Sequence, residues 1–276
     1  MHYYEYQFPA PADQHEILTG WLSTLPFEAF SEESDQLKAY LESAHVSQEI
    51  DEQVDQIAQR FQIRWTKVLM PNENWNAKWE AQFPPISVGN FCGIRADFHP
   101  PFGDTVQHEL VINPEMAFGT GHHSTTYLMI HFLSQMDVAG LKVFDYGCGT
   151  GVLGLLAMKM GAQHVDGIDY DILSVENSLK NAIKNGLQWE HLAEATLDQY
   201  DQSGYDLVLA NINRNVILDS LDTLYPKVNP GGLVLFSGFY EKDFPVMEEA
   251  LTNSGFQIKD QQIRQDWLCL KVEKPN

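Results

Sequence analysis

The chain has 276 residues, of which 44% are hydrophobic and 20% are charged. This length suits one medium domain with one small domain, and this composition excludes a disordered or fibrous protein. The net charge of -21 at pH 7 repels nucleic-acid phosphates, so we expect no direct nucleic-acid binding.

The three cysteines, Cys92, Cys148 and Cys269, are odd in number and too far apart for a disulfide framework or a CxxC metal site. No window approaches the roughly 18 uninterrupted apolar residues of a membrane helix, and the N-terminus does not resemble an export signal. We therefore expect a cytoplasmic protein that does not bind a membrane.

The first 60 residues form an acidic region with twelve acidic and two basic side chains. Alternation from His2 to Phe8 predicts a strand, and the stretch ADQHEILTGWLSTL predicts a helix. A second helix follows Ser47, which is a candidate N-cap. The acidic surface is either simply solvated or a docking face for a basic protein.

A strand pattern over Ile63 to Met70 precedes the run PNENWNAKWEAQFPP, where asparagines and prolines interrupt any periodicity. We predict a small acidic α/β domain over residues 1–62, a connecting segment over 63–85 and a larger domain over 86–276.

After Gly140, short apolar runs alternate with helical patterns, which is typical of a doubly wound, mainly parallel sheet. The predicted strands are Lys142–Tyr146, His164–Asp169, Tyr205–Ile212 and Gly232–Phe239. The helical patterns VLGLLAMKMG and ILSVENSLKNAIKNG lie between them, the second ending at Gly186. The tail FQIKDQQIRQDWLCLKVE has two alternating segments and no helix, which predicts an antiparallel hairpin.

The strongest chemical signal is VFDYGCGTGVLG, with Asp145, Gly147, Gly149 and Gly151 between a strand and a helix. Glycines here let the chain turn tightly and let a ligand approach the backbone. Asp169 ends the next strand in GIDYD, where its carboxylate can accept both hydroxyls of a ribose. The pair predicts a nucleoside cofactor at the strand ends.

Two cofactor classes fit this turn. Gly149 to Gly154 also reads GxGxxG, so a nicotinamide dinucleotide stays open. The carboxylate of Asp145 would repel a pyrophosphate but could hydrogen-bond a cationic amino-acid group, which favours S-adenosylmethionine. A purely structural turn, with Asp145 as a helix cap, is the remaining alternative.

Two further stretches carry polar candidates. Asn211 ends the apolar strand in YDLVLANINRN, where doubly wound sheets bind ligands, although it could also be a turn residue. The stretch MAFGTGHHSTT, from Met116 to Thr126, contains the pair His122 and His123. No cysteine or spaced acid completes a metal shell around this pair, so we expect no bound metal. Packing or solvent exposure is the favoured interpretation of both histidines, and general base the less favoured one.

With these residues in place, the chain resembles the ribosomal protein L11 methyltransferase family. The glycine turn is shared by all class I methyltransferases, whereas MAFGTG before it is more specific to this family. The matching stretches cover most of residues 74 to 212 in the family's order: NWNAKWEAQFPPISVGN, NPEMAFGTGHHSTT, VFDYGCGTGVLGLLAMKMGA, GIDYD and LANI.

The resemblance implies a class I methyltransferase fold, with a doubly wound, mainly parallel seven-stranded sheet, behind a small ferredoxin-like N-terminal domain that docks the substrate. It implies S-adenosylmethionine as cofactor, with S-adenosylhomocysteine as product, and lysine and N-terminal amines of ribosomal protein L11 as targets. The family's cofactor contacts fall on Thr126, Gly147, Asp169 and Asn211, and the glycine turn adds Gly149. A cover formed by the residues around Phe118 is also expected.

The chain departs from the family at two places. The family usually has threonine and proline where this chain has His122 and Ser124, and it usually continues differently after Ile212. A methyltransferase acting on a different protein or a small molecule therefore stays open. A non-catalytic S-adenosylmethionine-binding module and a dehydrogenase are the alternatives from other classes.

Overall fold

The computed structural model describes residues 3–70, 84–113 and 123–276. The chain divides into two units, Met1–Trp79 and Glu80–Asn276. Within the described ranges, no helix combines the length and the apolar character needed to cross a membrane.

The described part of the smaller unit is a four-stranded antiparallel sheet with helices in the order βαββαβ. Its elements are β1 (Tyr3–Pro9), α1 (Ala12–Leu22), β2 (Ala29–Glu33), β3 (Gln36–Glu42), α2 (Gln48–Arg60) and β4 (Thr66–Leu69). The strand order β2-β3-β1-β4, with every neighbouring pair antiparallel, is that of the predicted ferredoxin-like fold.

Alternating burial in the strands explains why this sheet packs on one face. Leu37, Ala39 and Leu41 of β3 are fully buried, whereas the residues between them are only half-buried. Helix α1 covers that face with Leu18 and Leu22. The side chain of the predicted N-cap of α2, Ser47, accepts a hydrogen bond from the Ile50 N–H.

The structure differs from the predicted boundary at residue 62. Strand β4 pairs with β1, so the small sheet extends to Leu69. Pairing with a strand more than 55 residues earlier is a non-local contact that local patterns do not report, and it covers an otherwise open sheet edge. The rest of the predicted connecting segment lies largely outside the described residues.

The larger unit contains a seven-stranded sheet in the order β10-β9-β8-β11-β12-β14-β13. A separate three-stranded sheet, β5-β6-β7, comes before it in the chain. Its strands are β5 (Ile86–Val88), β6 (Cys92–Arg95), β7 (His108–Val111), β8 (Lys142–Tyr146), β9 (His164–Asp169), β10 (His191–Glu194), β11 (Tyr205–Asn211), β12 (Val228–Tyr240), β13 (Gln257–Arg264) and β14 (Trp267–Glu273). Its described helices are α3 (Ser124–Leu133), α4 (Val152–Lys159), α5 (Ile172–Lys184), α6 (Arg214–Leu224) and α7 (Phe244–Asn253).

Only β14 runs antiparallel to its neighbours in the seven-stranded sheet, which confirms the doubly wound, mainly parallel prediction. Helices α3, α4 and α5 cover one face, and α6 and α7 cover the other. The predicted terminal hairpin is β13–β14, whose two turn residues, Gln265 and Asp266, both have positive φ, as a type I′ turn requires.

The order of the strands places the site. Successive strands run outward from β8 in one direction and from β11 in the other, so the order reverses between these two neighbours. Ligands of doubly wound sheets bind in the crevice at the carboxyl ends of the strands that flank such a reversal. The carboxyl ends of β8, β9 and β11 carry the polar residues that the sequence singled out.

Candidate active site

The glycine turn follows β8 and is tied to the end of β9. The N–H groups of Gly147 and Cys148 both donate to the Ile168 carbonyl at 2.9 Å. Gly147 has a φ of +73°, and a Cβ there would lie 2.3 Å from Cγ2 of Ile212. Gly149, with a φ of +54°, is also in the left-handed region. Both positions therefore favour glycine, and Gly147 is the half-buried residue of an otherwise buried turn.

Asp169 and Gly149, both predicted as cofactor contacts, are joined directly. The Gly149 N–H donates to Oδ2 of Asp169 at 2.9 Å, and the Asp171 N–H donates to Oδ1 at 3.0 Å. Each carboxylate oxygen keeps lone-pair capacity for a second donor. The two oxygens can therefore accept the two neighbouring hydroxyls of a ribose while the backbone fixes their orientation.

Thr126 and Asn211 also lie together, although 85 residues separate them in the chain. The Asn211 Nδ2 donates to the Thr126 Oγ1 at 3.4 Å, which links the end of β11 to the first turn of α3. Thr126 is buried and Asn211 is half-buried. Because Nδ2 is directed to Thr126, Oδ1 of Asn211 remains an acceptor for an N–H of a ligand.

The sequence left two roles open for Asp145, a contact with a cationic group and a helix cap, and in the structure it caps a helix. Its Oδ2 accepts the Gly154 N–H at 2.8 Å, and Gly154 is the third residue of α4. The N-cap of α4 is Gly151, which has no side chain, so Asp145 caps the helix from the preceding strand. Burial, with a smaller contribution from the charge of Asp169, raises the pKa of Asp145 to about 7.

The described histidine of the pair, His123, is the N-cap of α3. Its Nδ1 accepts from the Thr125 N–H, and its ring lies edge-on to Trp267 with the centroids 4.4 Å apart. Burial lowers the pKa of His123, which favours the neutral ring that this cap needs. The packing interpretation therefore holds for His123. His122 and the expected cover around Phe118 lie outside the described residues.

Three asparagines on α5 form a ladder that the sequence reasoning missed. Asn185 accepts from the Val111 N–H at 2.9 Å and donates to the Val111 carbonyl at 2.8 Å. One turn earlier, Asn181 accepts from the Asn113 N–H at 3.1 Å and donates to the Thr150 carbonyl at 3.0 Å. Asn181 thus joins the segment after β7 to the glycine turn.

The spacing of this ladder was visible in the sequence. Asn177, Asn181 and Asn185 recur every four residues in ENSLKNAIKN, which places them on one face of the helix. Asn177 donates to the Asn113 carbonyl at 3.5 Å, and Asn181 donates to Oδ1 of Asn177 at 2.7 Å. The pattern indicates a polar stripe, but only the structure identifies the backbone groups that it binds.

A second residue missed from the sequence is Tyr170. It directly follows Asp169, and 81% of it is exposed although it is a large aromatic residue. An exposed ring beside a carboxylate that can accept the hydroxyls of a ribose offers a flat surface on which a purine can stack. The signal was the aromatic residue after the acid in GIDYD.

The donor set of the crevice fits S-adenosylmethionine. Asp169 provides paired acceptors suited to a ribose, Tyr170 provides an aromatic face, and Asn211 provides a further acceptor at the end of β11. The glycine turn after β8 is hydrogen-bonded to Ile168 and Asp169 at the end of β9.

Comparison with known proteins gives a consistent result. Residues 14–275 match the family described as Ribosomal protein L11 methyltransferase. A Ribosomal protein L11 methyltransferase of Porphyromonas gingivalis is 37% identical over 265 residues, covering 93% of this chain and 90% of that protein. One from Bacteroides fragilis is 32% identical over 278 residues, covering 98% and 99%.

A solved structure extends the likeness to three dimensions. The crystal structure of ribosomal protein L11 methylase from Lactobacillus delbrueckii subsp. bulgaricus has a TM-score of 0.63 and 29% identity, covering 70% of this chain and 99% of that chain. The family match and the two sequence relatives span nearly the whole chain. The chain therefore belongs to the ribosomal protein L11 methyltransferase family.

Proposed function

We propose that the protein transfers methyl groups from S-adenosylmethionine to amino groups of the large-subunit ribosomal protein L11, at lysine side chains and at the N-terminal amine. The observation that carries this proposal is the Asn211–Thr126 pair, which lies at the same strand ends as the carboxylate of Asp169. The names of the relatives support the substrate, since both sequence relatives above are L11 methyltransferases.

The proposed role of the crevice is to position an amine. S-adenosylmethionine supplies an already activated methyl group, so alignment of the acceptor provides most of the acceleration. Asp169, Gly147 and Gly149 hold and orient the nucleoside end, and Tyr170 covers its base. Oδ1 of Asn211 accepts an N–H of the amine, and the hydroxyl of Thr126 fixes the orientation of that amide.

The amine must lose a proton before it can attack. A free lysine has a pKa of about 10.4 and is protonated at neutral pH. Removal from water and the nearby positive charge of the sulfonium both favour the neutral amine. The buried Thr126 and the half-buried Asn211 provide a polar but poorly hydrated position for it, so the proposal requires no dedicated strong base.

We also propose that the small unit docks the substrate and that the reaction takes place in the cytoplasm. Twelve acidic and two basic residues in the first 60 positions give this unit a charge that complements a basic protein. The described surface of its sheet includes the exposed carboxylates of Glu32 and Glu33. This docking role extends the proposal beyond the chemistry of methyl transfer.

Transfer of labelled methyl groups to purified L11 tests the proposal. Wild-type enzyme should label L11, and Asn211→Ala should keep the melting temperature while reducing labelling at least a hundredfold. Asn253→Ala removes an exposed asparagine at the end of α7 and serves as the matched control. Near-normal labelling by the Asn211 variant would contradict the proposed role of Asn211. If another protein in a lysate were labelled and L11 were not, that protein would replace L11 as the proposed substrate.

A further inference from the structure

A groove opens beyond the carboxyl end of β12, between the start of α7 and the terminal hairpin. It has a volume of about 670 Å³, and its walls include Tyr240, Glu241, Phe244, Ile263, Asp266 and Leu268. None of these residues belongs to the crevice that holds Asp169 and Asn211. The groove is thus a second concave surface on the same unit.

The floor of the groove is apolar and accessible. Tyr240 and Ile263 are 41% and 46% exposed, and Leu268 lies fully buried beneath them. The ammonium of Lys242 lies 5.1 Å from the centroid of the Tyr240 ring. The ring of Tyr240 therefore already contacts a cation of its own chain, which an incoming lysine has to displace.

Two carboxylates border this floor. The Glu241 N–H donates to the Asp266 carbonyl at 2.8 Å, which brings these two acidic residues together. In the part of the chain that the structure describes, no cation forms an ion pair with either carboxylate. With Lys242 as its one basic lining residue, the groove has a net negative charge.

A path of direct contacts joins the groove to the crevice. The ring of Tyr240 lies 4.1 Å from that of Trp267, and Trp267 contacts His123 at 4.4 Å between centroids. The hydroxyl of Ser124 also donates to Oε1 of Gln265 in the hairpin turn. The helix that begins at these residues presents Thr126 to Asn211 at the end of β11, the strand next to β12.

We propose that this groove binds an extended, lysine-containing segment of the protein substrate. The aliphatic stem of a lysine lies on Tyr240 and Ile263, and its ammonium reaches Glu241 and Asp266. An apolar floor with unpaired carboxylates at its border complements a side chain that is apolar along its stem and cationic at its tip. The inference rests on the proposed function and deepens it by locating a second contact for the same substrate.

The geometry of the hairpin suits an extended occupant. Gln261 and Ile263 are two positions apart on β13, so both side chains line the groove. Among the described strands, β13 is at the edge of the sheet and pairs on one side, with β14. A segment that adds to this edge would place every second side chain on the groove side.

The test removes the two groove charges without changing side-chain shape. The double variant Glu241→Gln with Asp266→Asn is compared with Glu248→Gln with Glu249→Gln, which removes two exposed carboxylates of α7 outside the groove. In methylation assays, the groove variant should raise the KM for L11 about five- to tenfold, whereas the α7 variant should stay within about twofold. The Kd for S-adenosylhomocysteine should be unchanged in both.

A binding measurement separates this inference from the proposed function, because it needs no turnover. Titration calorimetry with a tetralysine peptide should detect binding to the wild type and to the α7 variant but not to the groove variant. Equal losses in both variants would show that only the overall charge matters and would overturn the inference. A concentration-dependent dimer that only the groove variant abolishes would assign the groove to a second copy of the chain and would also overturn it.

Discussion

Replacing Asn181 with alanine should weaken cofactor binding although Asn181 does not face the cofactor. This side chain is fully buried and makes three hydrogen bonds, to the Thr150 carbonyl, the Asn113 N–H and Oδ1 of Asn177. Only the first of these bonds reaches the glycine turn. The variant therefore removes a support of the turn without removing any proposed cofactor contact.

The expected sizes follow from these bonds. Each buried hydrogen bond contributes about 1 kcal/mol, so losing three should lower the free energy of unfolding by about 2–4 kcal/mol. Of the three bonds, the one to the Thr150 carbonyl is the bond that holds the glycine turn. Because its loss leaves the turn less well positioned, it should weaken cofactor binding by about 1 kcal/mol, which is about a fivefold rise in the Kd.

Asn185→Ala is the matched control. Asn185 lies one turn further along α5 and also makes three hydrogen bonds, two with Val111 and one with the Asn181 carbonyl, but none with the glycine turn. Both variants should therefore lose similar stability in denaturant unfolding. Calorimetric titration with S-adenosylhomocysteine should show weaker binding for the Asn181 variant alone.

Two results would refute this reasoning. If both variants weakened cofactor binding equally, the loss would follow from general destabilisation of α5 and not from the bond to the turn. If neither variant changed the Kd, the turn would not depend on the ladder at all.

Three other predictions concern the crevice. Tyr170→Ala should raise the Kd for S-adenosylhomocysteine about tenfold, whereas Tyr170→Phe should bind like the wild type because it keeps the ring; equal losses would assign the effect to the hydroxyl. Gly147→Ala should weaken cofactor binding at least tenfold and lower the melting temperature, because its Cβ would meet Ile212 at 2.3 Å in a left-handed backbone; unchanged binding would contradict the geometry of the turn. Asp145→Asn should be more stable than the wild type, by a margin that grows as pH rises towards 7. The pKa of Asp145 in the folded protein is raised from 3.8 to about 7, so between these values the folded wild type keeps a proton on Asp145 that the unfolded chain has lost. The wild type therefore loses stability as pH increases towards 7. Unfolding midpoints between pH 5 and 8 measure this, and a constant difference between variant and wild type would contradict it.

The sequence was sufficient for the parts of the fold that depend on local patterns. Strands β8 and β9 occupy the predicted residues because a helical pattern follows each of them, a glycine comes directly after β8 and an aspartate ends β9. The contact between Gly149 and Asp169 follows from the same logic, since the carboxyl ends of neighbouring parallel strands meet at one edge of the sheet.

Features that depend on distant backbone groups could not be predicted in this way. Hydrophobic periodicity would place Leu179 and Ile183 of α5 against the core, yet they are 51% and 69% exposed. The buried face of that helix is instead polar, because its asparagines bind the backbone at Val111, Asn113 and Thr150. No local pattern of residues 172–184 specifies those partners.

The cap of α4 illustrates the same limit at a single residue. Asp145 was interpreted from the sequence through its charge, as a partner for a cationic group or as a cap. Its role depends on the left-handed backbone of Gly151, which ends the turn without a capping side chain and leaves the Gly154 N–H to be bound from β8. Sequence spacing alone does not distinguish these two arrangements.

Mass spectrometry of purified ribosomal protein L11, after incubation with this enzyme and S-adenosylmethionine, tests the central claim most directly. The account predicts mass increases of whole methyl groups, located at lysine side chains and the N-terminal amine and absent with Asn211→Ala. An L11 mass that stays unmodified, with enzyme that binds S-adenosylhomocysteine normally, would contradict it.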